Sequence, residues 1–363
     1  MYAAELFSGG GGLAVGLRDA GVRPVAAVEV DRYAADTFAL NHPDVKLFDR
    51  DIRTVTGKDL LDASPTRRID ILAACPPCQG FSTLTSKYKR DDERNGLVAE
   101  VGRLAAEALP QAIMMENVAG LAGRGKPILD RLIAQLIDLG YVVRYEILQV
   151  ADYGVPQRRK RLVLLAGLGF SIDMPKATHD RDGRNGLPRW RTVEDAILGH
   201  PAALDIQEAA LLGGFAATNW HVVRRLGPEN RARLAATEAG THRSSLPIEL
   251  RPKCHQNKPQ GFGNSYGRMR WDQPSSTITA GCLSPSKGRF GHPEQLRTIS
   301  LREAALLQTF PKDYKFPSGK IDGACSVIGN ALPCLFAQQI ANQVKRTIAS
   351  VGAWLSTEHV HAH

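Results

Sequence analysis

Short apolar runs alternate along the first half of this chain with stretches whose apolar residues recur at helical spacing. Ala3 to Phe7, Val25 to Val30, Ile69 to Ala73, Ala112 to Met115, Tyr141 to Val150 and Leu162 to Ala166 read as strands. Leu13 to Ala20, Arg32 to Asn41, Val98 to Leu109 and Pro127 to Leu139 read as the helices between them, the last with Ile128, Leu132, Leu136 and Leu139 on one stripe. Strands interleaved with helices pair in parallel through crossovers, and the helices then cover both faces of one sheet. The expected class is therefore α/β, a Rossmann-like, mostly parallel, doubly wound sheet that gathers ligands at the carboxyl ends of its strands.

The texture changes at about Phe170. From there to Leu296 the chain is rich in Gly, Pro, Arg and Asn with little sustained periodicity, as in Asp180 to Gly186 and Cys254 to Pro259, and reads as a smaller, loop-rich domain. Helical pattern resumes at Ser300, where Ser300 and Glu303 have the spacing of a capping box, and continues to Gln308; a last helix spans Leu335 to Ala349. The expected division is 1–169 as the doubly wound domain, 170–296 as the loop-rich domain, 297–350 as supporting helices and a return to the first domain, and 351–363 as a tail whose histidines are incidental. A length of 363 residues leaves ample material for such cores. The net charge of +9 suits a polyanionic partner without requiring one. The six cysteines are scattered, and the first residues lack a charged, apolar leader, which argues for reduced thiols and a cytoplasmic location rather than a disulfide framework. Apolar runs such as Leu162 to Leu168 are too short to span a bilayer.

Four stretches carry chemistry. Glu5-Leu6-Phe7-Ser8-Gly9-Gly10-Gly11-Gly12-Leu13 joins a strand to a helix, where glycines let backbone approach a nucleotide-like ligand, and Glu29 stands one strand later where a ribose would lie. On this alone a nicotinamide oxidoreductase remains open. Ala74-Cys75-Pro76-Pro77-Cys78-Gln79-Gly80-Phe81-Ser82 offers a thiol at the end of an apolar run, and Glu116-Asn117-Val118 ends another. Cys75 and Cys78 have the spacing of a metal pair, but no second pair completes a set, so no metal is expected. Gln157-Arg158-Arg159-Lys160-Arg161 is a dense basic stretch that by itself could be a solvated strand end.

Pro77-Cys78-Gln79 followed by Glu116-Asn117-Val118 resembles the DNA cytosine-5 methyltransferase family, and the resemblance continues in family order from Glu5 to about Pro333. It implies an S-adenosylmethionine-dependent methyltransferase fold with a separate target-recognition domain. Phe7, Gly9, Gly11 and Gly12 would surround the methionine part of S-adenosylmethionine, Glu29 its ribose, and Asp51 and Ile52 its adenine, with Leu97, Asn330 and Ala331 as further cofactor positions. Where the family has Gly-Asp-Ile, this chain has Arg50-Asp51-Ile52. The resemblance makes Cys78 the nucleophile that adds to cytosine C6, Glu116 the acid at N3, and Asn117 the residue that fixes the loop. Arg159 and Arg161 would stand near cytosine O2 and the target phosphate. Gln79, Ser82, Gln157, Arg268, Lys287 and Arg289 are the expected DNA contacts, and Arg224, Arg225, Arg231, Arg233, Arg243, Arg251 and Lys253 further phosphate-positioning candidates. The substrate implied is double-stranded DNA with the cytosine flipped out of the stack. A monomer is expected, with a cognate restriction endonuclease acting separately. A tRNA methyltransferase of the same fold would have a more compact recognition segment, and a non-catalytic paralogue would lack Cys78, Glu116 or the glycine loop.

Overall fold

The computed structural model describes residues 1–77, 96–256 and 263–358. In chain order the first elements are β1 (Tyr2–Leu6), α1 (Gly12–Asp19), β2 (Arg23–Val28), α2 (Arg32–Asn41), β3 (Lys46–Phe48), α3 (Gly57–Asp62) and β4 (Ile71–Ala74). They are followed by α4 (Val98–Ala108), β5 (Ala112–Val118), α5 (Lys126–Asp138), β6 (Tyr141–Gln149) and β7 (Lys160–Leu168). Beyond these come α6 (Val193–Ile197), β8 (Leu204–Asp205), α7 (Ile206–Leu211), β9 (Val222–Val223), α8 (Pro228–Ala235) and α9 (Lys253–Gln256). The chain ends with α10 (Leu301–Leu307), α11 (Ile321–Asn330) and α12 (Cys334–Glu358).

Two compact units result. The first comprises 1–153, 160–177 and 332–363, and the second 154–159 and 178–331. This division departs from the sequence boundaries in three places, each with a physical cause: residues 170–177 stay with the first unit, where Tyr153 donates to the Pro175 carbonyl. Residues 154–159 belong with the second unit because Arg158 N–H donates to the Ser275 carbonyl and Ser275 N–H to the Pro156 carbonyl. Residues 297–331 belong there too, because Arg297 and Arg302 are buried in that unit's interior.

The first unit is built on a seven-stranded sheet of order β3-β2-β1-β4-β5-β7-β6. The strands are parallel except β7, which runs antiparallel to both β5 and β6. The chain leaves β1 toward β2 and β3, then returns to β4 on its other side, so the crevice between β1 and β4 at their carboxyl ends is the topological switch point. Leu104, Leu129, Leu132, Leu136, Leu72 and Leu164 share one core on a single face of the sheet. Each such side chain stabilises the fold by about 1.5–3 kcal/mol when fully buried. On α5 the buried stripe is Leu129, Leu132 and Leu136, with Ile128 and Leu139 at its margins. The sequence reading missed β3 and α3, both too short to show a period, although Thr56 and Asp59 form the capping box that starts α3.

The second unit has only one small sheet, β8 with β9, besides isolated bridges among the described residues. Buried polar groups organise it. Ser300 caps α10 through the expected capping box with Glu303, and Arg297 clamps the same carboxylate at 2.7 and 2.8 Å. Burial alone would raise the Glu303 pKa, but Arg297 and the Ser300 N–H hold it below the ordinary range. Arg302 donates to the Asn219 and Tyr314 carbonyls at 2.9 and 2.7 Å, and burial lowers its pKa to about 10.

Candidate active site

The loop after β1 is shaped by left-handed backbone at Phe7 (φ 58°), Gly9 (φ 55°) and Gly11 (φ 89°), conformations for which glycine carries no steric penalty. It delivers the chain into α1 at Gly12. Glu29, just past β2, holds this loop: one carboxylate oxygen accepts from Gly9 N–H at 2.8 Å, and the other from Val30 and Asp31 N–H at 2.9 and 2.7 Å. Burial raises the Glu29 pKa, while the three backbone donors pull it down. Glu5, two residues before the loop, is fully buried, and its carboxyl oxygens have no hydrogen-bond partner among the described residues. Burial first, and the charge of Glu29 second, push its pKa well above the carboxylate range.

The remaining positions on this side are less uniform. Asp51 is spent on Arg53, whose guanidinium it meets at 2.6 Å and whose backbone N–H it caps at 2.9 Å. Arg50, where the family has glycine, is drawn to Asp59 at 3.0 Å and lies over the Phe48 ring. Ile52 is buried in the core, and its carbonyl accepts from Arg103. Leu97 packs against the same core at the start of α4.

The second focus lies where β4 and β5 end side by side and β7 begins. Parallel register pairs Ala74 with Met115, so one residue further Cys75 and Glu116 stand level. Glu116 meets Arg161 Nε at 2.5 Å, with side chains 11% and 13% exposed, so the pair is largely removed from water. The antiparallel turn of β7 causes this, since it pairs Arg161 with Val118 at the very end of β5. Burial lowers the Arg161 pKa, and Glu116 and Cys75 oppose that shift. Asn117 is buried, and its amide donates to the Pro76 carbonyl at 3.1 Å while its oxygen accepts from Val118 N–H at 2.8 Å. It thereby pins the backbone of Cys75-Pro76-Pro77, which leads directly to Cys78. Cys78, Gln79 and Ser82 lie outside the described residues.

In the second unit several expected contacts are committed internally. Gln157, expected to touch DNA, has no exposed surface and bonds to Ile278 N–H and Gln308. Arg268, another expected DNA contact, is buried and donates to the carbonyls of Leu234, Pro293 and Glu294, so it builds the unit's interior. Arg159, expected beside the cytosine, is buried and donates to the Ile278 and Gly329 carbonyls at 3.3 and 3.2 Å. Among the phosphate candidates, Arg224 pairs with Asp322, Arg225 with Asp205, Arg233 with Glu229, and Arg251 bonds to the Leu246 and Ser244 carbonyls; Arg243 is buried. Lys287 is exposed, as are Arg231 and Lys253. Arg289 is half-buried, donates to Asn264, and has its pKa lowered by burial and by Arg158. Asn330 ends α11 and Ala331 follows it.

Comparison with known proteins agrees with this arrangement of motifs. The family model for C-5 cytosine-specific DNA methylases matches residues 1–346. The Type II methylase M.HgiDII of Herpetosiphon aurantiacus is 36% identical over 353 residues, covering 94% of each chain. The Type II methyltransferase M1.HphI of Haemophilus parahaemolyticus is 34% identical over 346 residues, 94% of this chain and 85% of its own. Among solved structures, an E. coli prophage protein assigned as a DNA modification methyltransferase matches with a TM-score of 0.70 at 22% identity, over 96% of this chain and 99% of its own. Schizosaccharomyces pombe Dnmt2 matches with a TM-score of 0.57 at 18% identity, over 96% and 99% of the two chains. The chain belongs to the C-5 cytosine-specific DNA methylase family.

Proposed function

We propose that the protein transfers a methyl group from S-adenosylmethionine to C5 of a cytosine flipped out of a specific duplex sequence, through a transient bond between Cys78 and C6. The observation that carries this reading is the buried Glu116–Arg161 pair beside the Asn117-pinned segment that leads to Cys78. A cytosine C5 is a poor nucleophile until a thiolate adds at C6, and a carboxyl group at N3 draws electron density in the sense that addition requires. Arg161 orients the Glu116 carboxyl group, and Asn117 fixes the approach of the thiol. Loss of the C5 proton and elimination of Cys78 then restore the ring.

The glycine loop suits the cofactor. Glu29, which already holds Gly9, retains lone pairs for ribose hydroxyls, and the unpartnered buried carboxyl group of Glu5 lies two residues before the loop. Phe7, Gly9, Gly11 and Gly12 would surround its methionine part, with Asp51, Ile52, Leu97, Asn330 and Ala331 at its other positions. S-adenosylmethionine supplies, when bound, an electrophilic methyl group. Gln79, Ser82, Lys287 and Arg289 remain the DNA contacts of this reading. The Type II relatives favour a modification role beside a separately acting endonuclease, in the cytoplasm.

The test is base-resolution mapping of 5-methylcytosine in DNA from a methylation-free host that expresses wild type or Cys78→Ala. Methylation of one short motif, lost in the variant, supports the reading. Unmodified DNA with a folded wild type would overturn it.

A further inference from the structure

In the last turn of α11 the carbonyls of the buried Ile328 and Gly329 lie beyond the reach of helical donors. Side chains from two distant stretches supply the donors. Arg159 Nη1 donates to the Gly329 carbonyl at 3.2 Å and to Ile278 at 3.3 Å. Gln308, just past α10, donates through Nε2 to the Ile328 carbonyl at 2.6 Å and the Ala331 carbonyl at 3.3 Å. Its Oε1 accepts from Gln157 Nε2 at 2.6 Å, and Gln157 Oε1 accepts from Ile278 N–H at 2.9 Å. Both glutamines are fully buried.

The polarity of this relay is fixed at both ends by backbone. An N–H at Ile278 requires the Gln157 oxygen, which turns its amide nitrogen toward Gln308; a carbonyl at Ile328 requires the Gln308 nitrogen, which turns its oxygen toward Gln157. Neither amide can flip without setting like groups against each other. The seat is also sterically closed, since a Cβ on Gly329 would lie 2.0 Å from Ala280 N and 2.1 Å from the Thr279 carbonyl carbon.

We propose that Gln308 and Gln157 are positioning residues for the cofactor: their amide relay, with Arg159, fixes the Asn330–Ala331 turn that closes α11. The inference rests on the assignment of that turn to the S-adenosylmethionine site. It replaces a DNA-reading role for Gln157 with one that no exposed chemistry announces.

The test is calorimetric binding of S-adenosylmethionine to the full chain, alongside binding of a DNA duplex without cofactor, for wild type, Gln308→Met, Gln157→Met and Asn330→Ala. Gln308→Met keeps the volume and removes the donor. Gln157→Met keeps the volume and removes both the acceptor for Ile278 N–H and the donor to Gln308 Oε1. Both should weaken cofactor binding roughly tenfold, the effect of one buried hydrogen bond left unmade, while DNA affinity changes less than about twofold. Unchanged cofactor affinity in the folded Gln157→Met protein would overturn the proposal, as would a loss confined to DNA affinity. If Asn330→Ala alone weakens the cofactor, the turn assignment stands and the relay fails. If Asn330→Ala has no effect, both fail. Should Gln308→Met not fold, Gln157→Met decides by the same criteria.

Discussion

Gly16 sits in the middle of α1, and helix propensity alone says that Gly16→Ala stabilises the protein by about 1 kcal/mol. The structure reverses the sign. A Cβ there would stand 2.5 Å from Ala337 Cβ, 2.6 Å from the Cys334 carbonyl oxygen and 2.7 Å from Gln338 N, all on α12. Ordinary carbon contacts need about 1 Å more. The obstructing atoms are backbone or a methyl group, so no flexible side chain can swing aside and the two helices must part. Overpacking of this kind costs about 1–3 kcal/mol, and more where backbone must shift, so the net change is a loss of about 1–2 kcal/mol. At roughly 2–4 °C per kcal/mol for a domain of this size, Tm should fall by about 2–8 °C. Because α1 begins directly after the glycine loop, affinity for S-adenosylmethionine should fall with it. Scanning calorimetry without ligand, followed by the cofactor-induced rise in Tm, measures both. A variant as stable as wild type, or more so, would refute the packing argument.

Glu116→Gln should cost about 3 kcal/mol of stability, because Arg161 stays largely buried without its counterion, and should lower turnover at least ~10²-fold; retention of turnover would remove Glu116 from the chemistry. Lys287→Gln should reduce the slope of log DNA affinity against log salt by about one unit without altering Tm, whereas Arg268→Gln should lower stability by about 1–3 kcal/mol through its stranded carbonyl partners and leave the slope alone. His42 and His292 each have a pKa lowered to about 4 by burial, aided by Arg18 and Arg297 respectively. A histidine depressed in the folded state binds its proton more readily when unfolded. The associated stability is present above about pH 6.5 and is lost as pH falls through about 4, to at most about 3 kcal/mol for each group. His42→Phe should flatten that acid limb in urea titrations between pH 7 and 4; an unchanged pH dependence would contradict the assignment.

The sequence alone determined the α/β class and the places where chemistry could occur. Strand-forming runs alternating with amphipathic helices leave few topologies, and the spacing of Glu5, the glycines, Glu29, Cys78 and Glu116 follows from strand ends, which are local features. The Ser300–Glu303 cap was legible for the same reason, because both partners lie within one turn. Short elements without a full period, β3 and α3, were not.

Only the tertiary structure decided which polar residues face inward. Gln157, Arg159 and Arg268 have the composition of a nucleic-acid surface, yet each is buried among carbonyls or amides contributed from far along the chain. A one-dimensional pattern carries no record of such partners, since burying a charge or an amide becomes tolerable only when the fold brings its hydrogen-bond partners to it. The antiparallel insertion of β7 is likewise a tertiary fact, and it is what delivers Arg161 to Glu116.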